Sequence, residues 1–261
     1  MKLISLTLLF LLLLLSCKTE SLEKENIEKE DDTITLDLPL EKYKPCLLSD
    51  LGLDTTLGSP NSITDAVALI NALPKPLTIA CFISSLQRPL KINLTTSKKS
   101  VQPAIDSSNP RIFIMNFPLI ISINIKGDKS YIMEFSEFTS DQTSIKAELL
   151  FPIAKNILES TPFDRIDDSG ARSACLGCHM NEEKIDSAFS GNIYESTALK
   201  PEPETLLSVS EFSSQIYNCD IQETPSRRCH LIYSLFNQGD VEHESFPENT
   251  PTFFESFKDD L

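Results

Sequence analysis

Cys175, Cys178 and His179 stand together in the pentapeptide Cys-Leu-Gly-Cys-His. Two thiols three residues apart on one turn can each form a thioether to a haem vinyl group. A histidine immediately after them can then present its imidazole to the iron. With 7 Cys and 3 His in 261 residues, chance supplies such a pentapeptide on the order of 0.002 times. Three other chemistries use the same atoms: a structural zinc knuckle, a redox dithiol and a buried disulfide. A zinc site drawing on Cys175, Cys178, Cys219 and Cys229 has a second pair far from knuckle spacing. A redox dithiol needs a core strand just before it, and Asp164 to Arg172 does not read as one. No G-x-S-x-G element or metal-binding histidine pair points to hydrolysis, and the carboxylates single out no acid–base pair.

The N-terminus bears on the compartment. Met1-Lys2 precedes an apolar run from Leu3 to Leu15 and then Ser16-Cys17. That run is too short to span a bilayer, and it has the outline of an export signal. Leu14-Leu15-Ser16-Cys17 resembles the lipobox of bacterial lipoproteins. The resemblance implies removal of 1–16, lipid on Cys17 and residence in the cell envelope, facing periplasm or exterior. Stable anchoring needs more than one acyl chain, which such lipidation supplies. Residues 17–35 are dense in Lys and Glu and read as a flexible tether. The chain has 38 acidic and 23 basic residues, net charge −15, which argues against a nucleic-acid partner.

The remainder divides by rhythm. Within 36–155, short β-branched runs around 77–83, 91–95, 111–117, 119–125, 130–138 and 144–151 predict strands. The clearest pair is a hairpin centred on Gly127-Asp128. One helix is predicted from Ser62 to Leu73, stopped by Pro74. The expected fold is a β-rich, sandwich-like N-terminal domain. From 161 to 261 the pattern predicts a small, mainly α-helical domain with its own core. Ser173 would cap a helix carrying the Cys-His motif, Ser208 one through Phe212 and Ile216, and Ser226 one through Cys229 and Phe236. With three cysteines engaged, Cys46, Cys81, Cys219 and Cys229 remain. In an oxidising compartment they are expected to pair within domains, as Cys46–Cys81 and Cys219–Cys229.

The pentapeptide is similar to the haem-attachment motif of c-type cytochromes, and the helical region has a plausible size for such a domain. By that likeness one haem c is held by Cys175 and Cys178, with His179 as proximal ligand. A redox protein is the conceivable partner. No methionine follows Met180, so the distal ligand of many small cytochromes is missing. The sixth position then falls to His243 or His230, or stays open, while Met115 and Met133 read as strand-core residues. Arg172, with Arg165, is a candidate for the propionates. The alternative is a haem-free envelope lipoprotein whose disulfide-stapled β-domain binds a partner.

Overall fold

A computed structural model describes residues 43–185, 191–219 and 226–257. The signal, Cys17 and the tether lie outside the described residues. Residues 40–261 belong to one compact unit. Among the described residues, no helix is long and apolar enough to cross a membrane.

The chain enters at Tyr43 and is tied down by the Cys46–Cys81 disulfide. Helix α1 (Ile63–Ala72) starts where the Ser62 hydroxyl accepts the Asp65 N–H, at 3.0 Å. It buries Ile63, Ala66, Val67, Leu69 and Ile70, the spacing of one helical face. Helix α2 (Ile79–Ser84) is capped by Thr78, whose hydroxyl accepts the Cys81 N–H at 3.1 Å. All six of its residues are buried. The sequence predicted a strand there, but an element buried on every side has no periodicity by which strand and helix can be told apart.

Five strands follow: β1 (Leu90–Thr95), β2 (Arg111–Asn116), β3 (Leu119–Asn124), β4 (Ile132–Phe138) and β5 (Thr143–Leu150). Each pairs antiparallel with the next. The β3–β4 hairpin is present, with Ile123 opposite Met133, but its loop occupies 125–131. Gly127 in that loop has φ +92°, and the Ser130 N–H bonds the Gly127 carbonyl, so the turn is wider than the expected two residues.

The second half does not form the predicted helical domain. A short helix α3 (Thr161–Asp164) leads into a two-strand turn, β6 (Asp167–Asp168) with β7 (Arg172–Ser173). Strands β8 (Glu183–Ile185) and β9 (Ile193–Thr197) extend the main sheet beyond β5, with Ser196 opposite Ser144. Helix α4 (Val209–Ser213) is one and a half turns long, and helix α5 (Arg227–Phe236) starts at the Ser226 cap. Strand β10 (Val241–His243) then lies parallel to β1 at the other edge. The result is one mixed eight-stranded sheet in the order β10-β1-β2-β3-β4-β5-β9-β8. This corrects both expected folds, the β-sandwich and the cytochrome c-like helical domain.

The correction has a physical cause. Strands of three to five residues are too short to display a period. The partners of β10 and β9, β1 and β5, lie far away in sequence, and β8 is held by β9. The two halves also share one core. Phe212, Leu231, Ile232 and Leu235 pack in the same cluster as Ile92, Ile114, Ile121, Met133 and Phe135. Arg88 strengthens the junction by donating to the carbonyls of Ser234 and Leu235, each at 2.6 Å, at the end of α5.

Both expected disulfides form, Cys46–Cys81 and Cys219–Cys229. The second spans 10 positions, so replacing both cysteines by alanine should lower stability by about 2.5 kcal/mol in the chain-entropy account. Thermal melting of the double variant under non-reducing conditions checks this.

Candidate functional site

The sheet has two unlike faces. Ile92, Leu94, Ile112, Ile114, Ile121, Ile123, Met133 and Phe135 join the main core with α1, α2 and α5. The opposite face carries Arg111, Phe113, Ile120, Ser122, Glu134, Ser136, Phe138, Lys146 and Glu148, and these line a cavity. Cys175, Cys178 and His179 line the same cavity, so the motif lies over the polar side of the sheet. The enclosed volume is about 140 Å³, and the empty space grows to about 1150 Å³ once the open mouth is counted. Phe246 and Phe253 complete an aromatic lining.

The motif is built from a short 3₁₀ turn, Ala174–Gly177, rather than the expected helix. Ser173 is the cap, as its position predicts, accepting the Cys175 N–H at 3.0 Å. Glu182 reaches back to accept from both the Ser173 N–H, at 2.7 Å, and its hydroxyl. The N–H groups of Cys178 and His179 both bond the Cys175 carbonyl, at 3.0 and 2.9 Å. Thr197, at the end of β9, donates its N–H and hydroxyl to the Met180 carbonyl at 2.9 and 2.8 Å. The His179 Nδ1 lies 2.8 Å from the Thr197 carbonyl oxygen. A carbonyl can only accept, so Nδ1 carries the proton and Nε2 the lone pair. Nε2 has no hydrogen-bond partner among the described residues.

Burial pushes the His179 imidazole down to about 3, helped by the nearby Lys146 charge, so it is neutral at physiological pH. Burial also pushes the Cys175 thiol up to about 11. Cys175 and Cys178 are both free. They are not paired as a disulfide, and Cys219 and Cys229 are bonded to each other. That removes the four-thiolate zinc arrangement. No group of three or more His, Cys, Asp or Glu among the described residues could hold a metal ion by itself.

The structure separates the other predicted site residues from the motif. His230 lies on α5, its ring 5.5 Å from that of Tyr43, and its Nε2 is buried without a hydrogen-bond partner among the described residues. His243 sits on edge strand β10 opposite Ile92, its Nε2 3.4 Å from the Ser245 hydroxyl. Neither lines the cavity, and no methionine does. Arg172 is exposed and bonds Asp168 at 3.0 Å. Arg165 bonds Glu148 at 2.7 Å, and of that pair only Glu148 is on the cavity wall.

The residues that do face the motif escaped the sequence analysis. Arg111 forms an ion pair with Glu134 and also donates to Ser100 and Ser122. Lys146 is only 5 % exposed and donates to the Ser144 hydroxyl and, at 3.4 Å, to Ser136. Burial lowers its amine to about 8. Their signal was present as alternation along β2 to β5. A polar face in an antiparallel sheet ordinarily means solvent, so it marked no site.

Comparison of the chain with family models, with curated proteins and with solved structures finds no match to any of them.

Proposed function

We propose that this chain is a haem c protein of the cell envelope, anchored by lipid on Cys17, whose iron keeps one side free for a small ligand. Cys175 and Cys178 would hold the haem as thioethers and His179 would be the proximal ligand. The observation that carries the reading is the Nδ1 contact of His179 with the Thr197 carbonyl. A histidine that ligates a metal through Nε2 commonly fixes its ring by donating the other N–H to an acceptor of this kind. Two free thiols one turn away, on the wall of the same open-mouthed cavity, complete the set.

The lining supports an open side. Neither His230 nor His243 lines the cavity, so ligand binding or sensing is favoured over simple electron transfer. Bound there, haem supplies an iron that can take a small ligand or change oxidation state. The protein's own part would be to keep His179 neutral and oriented, with Arg111, Glu134 and Lys146 on the wall of the same cavity.

Protein made with the cytochrome c maturation machinery should gain the mass of one haem and show a high-spin ferric spectrum. Cys175→Ala with Cys178→Ala should carry no covalent haem while keeping its sheet by circular dichroism. A low-spin spectrum lost in His230→Ala or His243→Ala would restore the electron-transfer reading. Fully processed protein without haem would favour the binding-module alternative. Separately, Cys17→Ser should move the protein out of the membrane fraction or leave it unprocessed, and unchanged membrane residence would count against the lipid anchor.

A further inference from the structure

Four charged groups from β4, β5 and the segments beside them can be matched into pairs, and one cannot. Glu134 accepts from Arg111 and from Ser122, the latter at 3.1 Å. Glu148 accepts from Arg165. Lys146 is left with two serine hydroxyls. Those oxygens occupy two of the three donors of an ammonium group and bring no negative charge, while the carboxylates of Glu134 and Glu195 act on the ammonium only through space and accept no hydrogen bond from it among the described residues. A second donor is also orphaned nearby, because the Arg111 Nε is buried without a hydrogen-bond partner among the described residues. Both side chains line the cavity. The lining also includes Lys99, whose ammonium lies 3.0 Å from the Phe254 ring centre, Lys200 and the carboxylate of Glu202.

A buried ammonium with no hydrogen-bonded carboxylate among the described residues runs against the composition of a chain with net charge −15. It is also costly, since a buried charge is retained cheaply only when something pairs with it. We propose that Lys146 and Arg111 form an anion site on the cavity wall that takes a carboxylate or a small oxyanion. The site goes beyond the haem reading and stands without it, because the haem-free chain has the same pair. Two sources share the chemistry: a free small anion, and a propionate of a bound haem.

The full chain made without haem maturation is melted in sodium formate and in sodium nitrite, each against sodium chloride at matched ionic strength. The wild type should be stabilised by formate or nitrite beyond chloride. Lys146→Met should lose the response, with apparent affinity at least tenfold weaker, and Lys146→Arg should recover it. The haem-loaded chain then identifies the source. A spectral response to nitrite that Lys146→Met weakens assigns the site to a free anion. Loss of the anion response, with a midpoint potential that shifts in Lys146→Met, assigns it to a propionate. If the haem-free chain is unfolded, the loaded chain decides by the same two readouts. The proposal is overturned if formate and nitrite do no more than chloride, or if Lys146→Met responds like the wild type, in a folded haem-free chain. In the loaded chain, a Lys146→Met variant matching the wild type in both readouts overturns it equally. Absence of haem after maturation would sink the haem reading alone.

Discussion

Lys146→Met should make the haem-free protein more stable at pH 7 in a buffer free of small oxyanions. Lys146 is 5 % exposed and its hydrogen-bond partners are hydroxyls; Glu134 and Glu195 favour its charge and Arg111 opposes it, but desolvation outweighs them. Burial brings it from 10.5 to about 8, which at 1.36 kcal/mol per unit corresponds to a penalty of about 3 kcal/mol for keeping it charged. Methionine has similar length and no charge, so it removes the penalty without opening a large void. For a domain of this size, the gain is about 6–12 °C in melting temperature.

The pH dependence has a definite sign. Below about 8 the amine is charged in both folded and unfolded chains, and the full penalty applies. Between about 8 and 10.5 the unfolded chain holds one more proton than the folded one, so wild-type stability rises with pH. The advantage of Lys146→Met should therefore fade across that window. Cys175 acts in the opposite direction from about 9 upward, because its folded-state thiol keeps its proton to about 11. Comparing wild type and variant in a Cys175→Ala background isolates the lysine. A variant no more stable than wild type at pH 7 would show that an internal counter-charge already neutralises Lys146.

Arg111→Leu should do the reverse and destabilise the protein by about 3 kcal/mol. The two cations line one cavity, but only Arg111 has a carboxylate partner. Its side chain is 16 % exposed and that of Glu134 is 23 % exposed, so water screens the pair weakly. Removing the guanidinium leaves Glu134 with the Ser122 hydroxyl alone. It also frees the hydroxyl of Ser100. Glu134→Leu added to Arg111→Leu should recover most of the loss, because the cost lies in the unpaired carboxylate. Denaturant melts of the two single variants and the double measure the coupling. A double variant no better than Arg111→Leu would place the cost in lost packing, since the guanidinium also lies 4.8 Å from the Phe113 ring centre.

Much of the local structure was legible because it depends on neighbours in the chain. Ser62, Ser173, Ser208 and Ser226 cap as their positions predict. The strands from 91 to 150 follow their alternation, and both disulfides pair as expected. The stretch around Cys81 reads as strand and folds as helix, because full burial erases the contrast between faces. The Cys-His motif itself is unmistakable in sequence, but its setting is not.

The sequence by itself determined the types and spacing of the reactive atoms: two thiols, one imidazole directly after them, and five further cysteines. These are covalent and local facts that no fold can change. Only the tertiary structure decided what faces them. Strands β8, β9 and β10 are too short to announce themselves; β9 and β10 become strands by pairing with β5 and β1 across long separations, and β8 by pairing with β9. That pairing merges the halves into one core and lays the motif over the polar face of β2 to β5. A face that alternation alone would leave in water thereby becomes the wall of a cavity, and Lys146 becomes a buried charge. Separation in space, equally invisible along the chain, keeps His230 and His243 away from it.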